Sequence, residues 1–93
     1  MQQDREFYLF GAGYNGQHFL KRFAGKYAPK RILDNAEAKW GEKVEGITVE
    51  GPQCLKSTDC VLVAGIYYAD IIKQLKVLGV ENYYIYDETS DWH

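Results

Sequence analysis

Apolar residues in this chain fall into short runs separated by polar, glycine-bearing stretches. The first run, "REFYLF" at 5–10, is short and rich in aromatics, which predicts a buried strand. Helical spacing replaces it over 14–27. Phe19, Leu20, Phe23 and Tyr27 share one side there, and Gln17, His18, Lys21 and Arg22 share the other. Gly25 and Pro29 end this helix. "KRILD", 30–34, predicts a second short strand.

The middle, 35–59, is less regular. "DNAEAKWGEKVEG" is polar and turn-rich, "ITVE" at 47–50 is a short strand, and "GPQCLKS" is a brief helix started by Pro52. "CVLVAG", 60–65, is apolar throughout, as expected of a central parallel strand covered on both faces. Tyr68, Ile71, Ile72, Leu75 and Leu78 then follow i, i+3, i+4, i+7 spacing, which predicts a helix with these five in the core. Asp70 falls in its first turn, where the helix dipole favours an anion. Gly79 is placed to cap its end, with Val80 making the accompanying apolar contact. "NYYIYD", 82–87, is a last strand, and "ETSDWH" reads as a loosely held tail.

Strands and helices therefore alternate. That order predicts an α/β sandwich with a mainly parallel sheet of four or five strands, in the order 3-2-1-4-5. The switch point lies between the first strand and "CVLVAG". Ligands of such sheets bind at that crevice, beyond the carboxyl ends of the strands.

Composition narrows the partners. Ninety-three residues make one small domain, 1–93, and 46% apolar with 26% charged residues is ordinary for a globular chain. The net charge of −2, with scattered Lys and Arg, leaves no footprint for nucleic acid. No apolar run reaches membrane-spanning length and no basic-then-apolar leader precedes the first strand, so we expect a soluble, cytoplasmic protein. Cys54 and Cys60 do not have metal-ligand spacing, and Cys60 opens an apolar run as a small core residue.

The chemistry concentrates in "YLFGAGYNGQHF", 8–19, where Gly11, Gly13 and Gly16 stand in G-x-G-x-x-G spacing between a strand and a helix. In that context Gly11 permits the turn and Gly13 lets backbone approach a pyrophosphate. Gly16 lets the helix pack closely on the strand. Free N–H groups at the helix start would face the phosphates. The same glycines also serve a tight strand-to-helix turn with no ligand. Asp34 ends the second strand, where an acid can accept hydrogen bonds from ribose hydroxyls and repel a 2′-phosphate, favouring NAD or a nucleotide sugar over NADP. It equally suits the start of the "DNAE" turn. Gly65 and Tyr67 follow the "CVLVAG" strand beside the switch point, with Tyr67 free to stack on a base or bond a ribose. The candidate site is thus Gly11, Ala12, Gly13, Tyr14, Asn15, Gly16, Asp34, Asn35, Gly65 and Tyr67. Trp40 is expected to anchor its loop, and His18 to be solvated. No Tyr-x-x-x-Lys pair, Walker loop or nucleophile triad occurs, so no catalytic residue is assigned and the isolated chain is expected not to turn over a substrate.

Three stretches carry a resemblance across 6–87. One is the strand–GAG-x-x-G–helix opening. Another is Asp34-Asn35 followed by Lys39-Trp40-Gly41 and Gly46-Ile47-x-Val49. The third is the helix of 67–79, Tyr-Tyr-x-x-Ile-x-x-Gln-Leu-x-x-Leu-Gly. The chain resembles small Rossmann-like modules attached to bacterial glycosyltransferases, sugar methyltransferases and other enzymes of surface-polysaccharide biosynthesis and nucleotide-sugar metabolism. The resemblance implies a three-layer Rossmann-like domain cut from a longer protein. That domain would bind a dinucleotide or nucleotide sugar for a catalytic domain of the parent chain, with a homodimer as a further possibility. It implies no defined reaction. A fragment of an NAD-dependent sugar oxidoreductase or epimerase, and a docking or oligomerisation domain that binds nothing, are the alternatives.

Overall fold

Six strands form one mixed sheet in the computed structural model, which describes residues 6–23, 25–65 and 67–86. The strands are β1 (Tyr8–Phe10), β2 (Arg31–Leu33), β3 (Lys43–Val44), β4 (Ile47–Glu50), β5 (Cys60–Ala64) and β6 (Asn82–Tyr86), and the helices are α1 (Tyr14–Arg22) and α2 (Tyr68–Val77). Their order across the sheet is β3-β4-β2-β1-β5-β6. All pairings are parallel except β3 with β4.

The expected four or five strands in order 3-2-1-4-5 are corrected by β3. This extra edge strand forms an antiparallel hairpin with β4, Lys43 opposite Thr48 and Val44 opposite Ile47. Its turn is Glu45-Gly46, with φ of +50° and +80°. Two positive φ values describe a two-residue hairpin turn whose twist matches its strands, a turn usually announced by Asn-Gly or Asp-Gly. Glu-Gly carries no such signal, so the stretch reads as loop.

The strand period of two sends neighbouring side chains to opposite faces. Leu9 joins Ile32, Val49, Leu62, Phe19 and Leu20 in a core under α1, whereas Phe10 joins Leu33, Val61, Val63, Leu75 and Val80 in a core under α2. Each fully buried Leu, Ile or Phe contributes about 2–3 kcal/mol by leaving water. Residues 60–64 are buried throughout, which places β5 inside the sheet as its unbroken apolar run requires. Cys60 lies in the first core and Cys54 packs against the second, on the other side of the sheet.

Helix α1 is shorter than the expected 14–27. It is capped at Phe23, and Gly25 follows in the left-handed region at φ +79°, yet Phe23 and Tyr27 still pack against the first core. Helix α2 ends as expected. Gly79 has φ +80°, its N–H donates to the Lys76 carbonyl, and the Val80 N–H donates to the Leu75 carbonyl at 2.9 Å. Val80 and Leu75 share the second core, which completes the cap with its apolar contact. The five-residue apolar face of α2 is only partly used. Leu75 is buried and Ile71 and Ile72 are half-buried, but Tyr68 and Leu78 are 45% and 40% exposed. One helix crossing the sheet seals one line of contact, and the positions flanking that line overhang it. The brief helix expected from "GPQCLKS" is a single 3-10 turn, Pro52–Cys54. The end of the last expected strand at Asp87, and the tail after it, lie outside the described residues.

Candidate functional site

Strands β1, β2 and β5 all point their carboxyl ends at one crevice. It holds a cleft of about 780 Å³, floored by Phe10, Ala64 and Ile71. The glycine loop forms one wall, Asp34, Asn35 and Lys39 form the β2 side, and Gly65, Tyr67, Asp70 and Gln74 form the side where α2 begins.

The three glycines do different work. Gly11 has φ +126°, and a Cβ there would stand 2.0 Å from the Ala64 carbonyl oxygen. The Gly11 N–H meanwhile donates to the Leu33 carbonyl at 2.7 Å. Backbone of β1, β2 and β5 thus converges on this residue too closely for any side chain. A Cβ on Gly16 would lie 1.9 Å from the Gly11 carbonyl oxygen, so α1 can only sit against the loop without one. Gly13 is unlike both. Its φ of −86° is open to every residue, and nothing stands within 4 Å of where its Cβ would be. No packing contact requires glycine at 13, although glycine suits the N-cap position that it holds. What the missing side chain leaves clear is space on the cleft wall, at the position that starts α1.

That helix start is electrostatically open. Gly13 supplies no side-chain cap, and the first turn holds no acidic residue, whereas Lys21 and Arg22 complement the dipole at the far end. The first intrahelical donor is the Gln17 N–H, bonded to the Gly13 carbonyl at 3.0 Å, so the N–H groups before it lack partners within the helix. Backbone donors, a positive dipole end and a vacant Cβ position thus meet at one point of the cleft wall, the features by which helix starts receive anions.

Asp34 has two structural duties. One carboxylate oxygen, Oδ2, accepts the Ala12 N–H at 3.0 Å, and the other, Oδ1, accepts the Ala36 N–H at 2.8 Å. The first bond ties the glycine loop to the end of β2, and the second makes the turn foreseen for "DNAE". An ionised carboxylate has about four acceptor positions, so acceptor capacity remains for a ligand hydroxyl. Trp40 anchors the same loop. Its indole Nε1–H donates to the Asp34 carbonyl at 2.7 Å, and its ring packs against the first core and over Gly51. The 3-10 turn Glu37–Lys39 is thereby tied to the end of β2, and Lys39 brings its ammonium to 4.0 Å from Asp34 Oδ2.

Of the expected site residues, Gly11, Gly13, Tyr14, Asn15, Asp34, Asn35, Gly65 and Tyr67 line the cleft. Ala12 and Gly16 stand behind it. The Ala12 side chain is buried in the first core, and Gly16 is buried against the loop. Tyr14 and Tyr67 are 72% and 70% exposed, one on each lip, available to stack on a flat ligand. Sequence reasoning did not assign Lys39, Asp70, Ile71 or Gln74 to the site. Lys39 and Gln74 stand in the stretches that carry the resemblance, but no spacing or neighbouring residue marks either as a site residue. Asp70 and Ile71 are explained by the helix alone, as a dipole partner and a core position. Gln74 and Asn35 exchange two amide hydrogen bonds across the cleft, at 2.9 and 3.0 Å.

His18 is not simply solvated as expected. It is half-buried, and its Nδ1 lies 2.7 Å from the hydroxyl of the buried Tyr86 at the end of β6. These residues stand 68 positions apart and meet only because α1 folds over that edge of the sheet. Among the described residues no group of His, Cys, Asp and Glu could hold a metal ion, and no helix is long and apolar enough to cross a membrane.

No family model matches the chain, and no curated protein matches it. A solved structure does. The chain is similar to the crystal structure of UDP-D-quinovosamine 4-dehydrogenase from Vibrio fischeri, at 22% identity and a TM-score of 0.65, over 91% of this chain and 80% of that one. The likeness is one of fold: a mixed, mostly parallel sheet between two helices.

Proposed function

We propose that this chain is the Rossmann-like nucleotide-binding domain of a nucleotide-sugar oxidoreductase, and that the cleft holds a dinucleotide of the NAD type. The observation that carries this reading is Gly13. Gly11 and Gly16 are demanded by packing, whereas a Cβ at 13 would meet no atom of the fold, and its absence leaves the cleft wall open beside the start of α1. The expected parent, a glycosyltransferase or sugar methyltransferase, has less support than an oxidoreductase. The similar fold belongs to a protein named as a dehydrogenase of a UDP-sugar. Dehydrogenation of a sugar hydroxyl needs a hydride acceptor, and a nicotinamide dinucleotide is the usual one.

The chain's residues fit that group. The pyrophosphate would lie on the N–H groups at the start of α1, over Gly13. Asp34 would accept from the ribose hydroxyls with the capacity its two backbone bonds leave free. Phe10 and Ile71 would floor a base or nicotinamide, and Tyr14 and Tyr67 would cover it from the lips. When bound, the dinucleotide supplies the hydride acceptor. The protein's contribution is to orient it and to exclude water from one side.

Thermal stability tests the reading. A ligand at ten times its dissociation constant adds roughly 1.4 kcal/mol. In a domain of this size that raises Tm by about 5–10 °C. We expect that rise with NAD from a panel of NAD, UDP-, GDP- and CDP-sugars, and its loss in Gly13→Val. No shift with any member at millimolar concentration, or an undiminished shift in Gly13→Val, would leave the glycine loop as a turn and nothing more.

A further inference from the structure

Asp34 alone marks the ribose end of the cleft as acidic, which repels a phosphate. The folded chain adds a cation. Lys39 lines the same cleft, with its Nζ 4.0 Å from Asp34 Oδ2. Given the dinucleotide reading above, on which this step rests, we infer that Lys39 is a specificity residue. It allows the site to accept a ribose carrying a phosphate monoester next to the hydroxyl that Asp34 receives.

Three observations support this. First, Asp34 does not need Lys39. Its two carboxylate oxygens already take the Ala12 and Ala36 N–H groups, and at 4.0 Å the ammonium lies beyond hydrogen-bond reach. Second, the pair contributes little to stability where it stands. The Lys39 side chain is 42% exposed, and ion pairs so placed are worth at most about 1 kcal/mol. Third, the backbone that delivers the ammonium is fixed. The Lys39 N–H donates to the Ala36 carbonyl and the Trp40 N–H to the Glu37 carbonyl, while the Trp40 indole is bonded to the Asp34 carbonyl. The cation is thus held beside the ribose position by its backbone, while its flexible stem and three donors remain available to an incoming phosphate. A phosphate monoester carries nearly two negative charges at neutral pH. Approaching Asp34 alone it would be repelled, whereas approaching the Asp34–Lys39 pair it meets a cation held to Asp34 only by a long, part-exposed ion pair.

The probes are NAD and NADP, identical except for the 2′-phosphate, titrated calorimetrically into the native chain and into Lys39→Ala, Lys39→Glu and Lys39→Arg. The measured quantity is the ratio of the two dissociation constants within each protein, which cancels any general change in the cleft. We expect the native chain to bind NADP within about threefold of NAD. Lys39→Ala should shift the ratio against NADP by about tenfold, Lys39→Glu should shift it further, and Lys39→Arg should restore it. A native chain that rejects NADP by tenfold or more, or a ratio unmoved by Lys39→Ala and Lys39→Glu, overturns the role of Lys39 and leaves the dinucleotide reading intact. Failure of both probes to bind overturns the dinucleotide reading and Lys39 with it.

Discussion

Gly11→Ala would force a Cβ against the Ala64 carbonyl at a φ that L residues rarely adopt, and Gly16→Ala would force one against the Gly11 carbonyl. Neither obstacle is the end of a flexible side chain, so the backbone must move. Each substitution should cost about 2–4 kcal/mol, enough to lower Tm by about 10 °C or more in a domain of this size. Gly13→Ala meets no atom and loses only the preference of an N-cap for glycine over alanine, so it should cost about 0.5–1 kcal/mol and lower Tm by about 2–8 °C, less than either of the others. Thermal melts of the three variants without ligand check this. Equal losses at all three positions would remove the distinction on which the function rests. Cys54 offers a second test at this scale. Burial pushes its thiol pKa up, and the Glu50 carboxylate adds to the effect. A raised thiol pKa means less thiolate at any pH below it, so iodoacetamide should react with Cys54 more slowly at pH 8 than with a free cysteine. Its rate should continue to climb above the pH where the free thiol levels off. Glu50→Gln should speed the reaction at pH 8, as followed by mass spectrometry.

The element least visible in the sequence is the β3–β4 hairpin. Its turn holds Glu45 at φ +50°, a conformation that glycine and asparagine tolerate and glutamate does not favour. Glu45→Asn would create the Asn-Gly pair suited to such a turn, and we expect it to stabilise the chain by about 0.5–1 kcal/mol. A small rise in the denaturant midpoint, with the slope unchanged, is the corresponding measurement. A fall would mean that the turn is not of this type. The same hairpin shows why turn composition misled. "DNAEAKWGEKVEG" is polar because its structure is made mostly by backbone, with only Trp40 and Val44 of its side chains packed against the first core. Trp40 could be read as an anchor from its size alone, but its bond to the Asp34 carbonyl depends on β2 and the following turn folding back together. By contrast α2 was legible to its last residue, because Gly79 and Val80 cap it through bonds reaching only a few positions back.

For the whole molecule, binding and turnover are separate measurements. In the cleft Asp34 bonds the Ala12 and Ala36 N–H groups and pairs with Lys39, so its carboxylate is a binding and positioning group. We expect the 93-residue chain to bind NAD in this cleft, and Asp34→Asn to weaken binding by about tenfold in a calorimetric titration. Unchanged binding in Asp34→Asn would remove the ribose role of Asp34, and absorbance of NADH in the presence of a UDP-sugar reads turnover independently.

Sequence by itself determined the features whose cause is local. Apolar periodicity marked β5 and α2, glycine spacing marked the loop, and the alternation of strands with helices put a crevice at the ends of β1, β2 and β5. Those signals act within a few residues, or through the simple rule that an apolar run must be covered, and need no partner to be read. Only the tertiary structure decided what stands opposite what. It brought Lys39 beside Asp34, joined Asn35 to Gln74 across the cleft, and closed His18 on Tyr86. It also separated Gly13, free of packing, from Gly11 and Gly16, which are bound by it. The physical reason is the same in each case. A side chain's charge, donors and volume are written in the sequence, but the distance over which they act is set by the order of strands in the sheet.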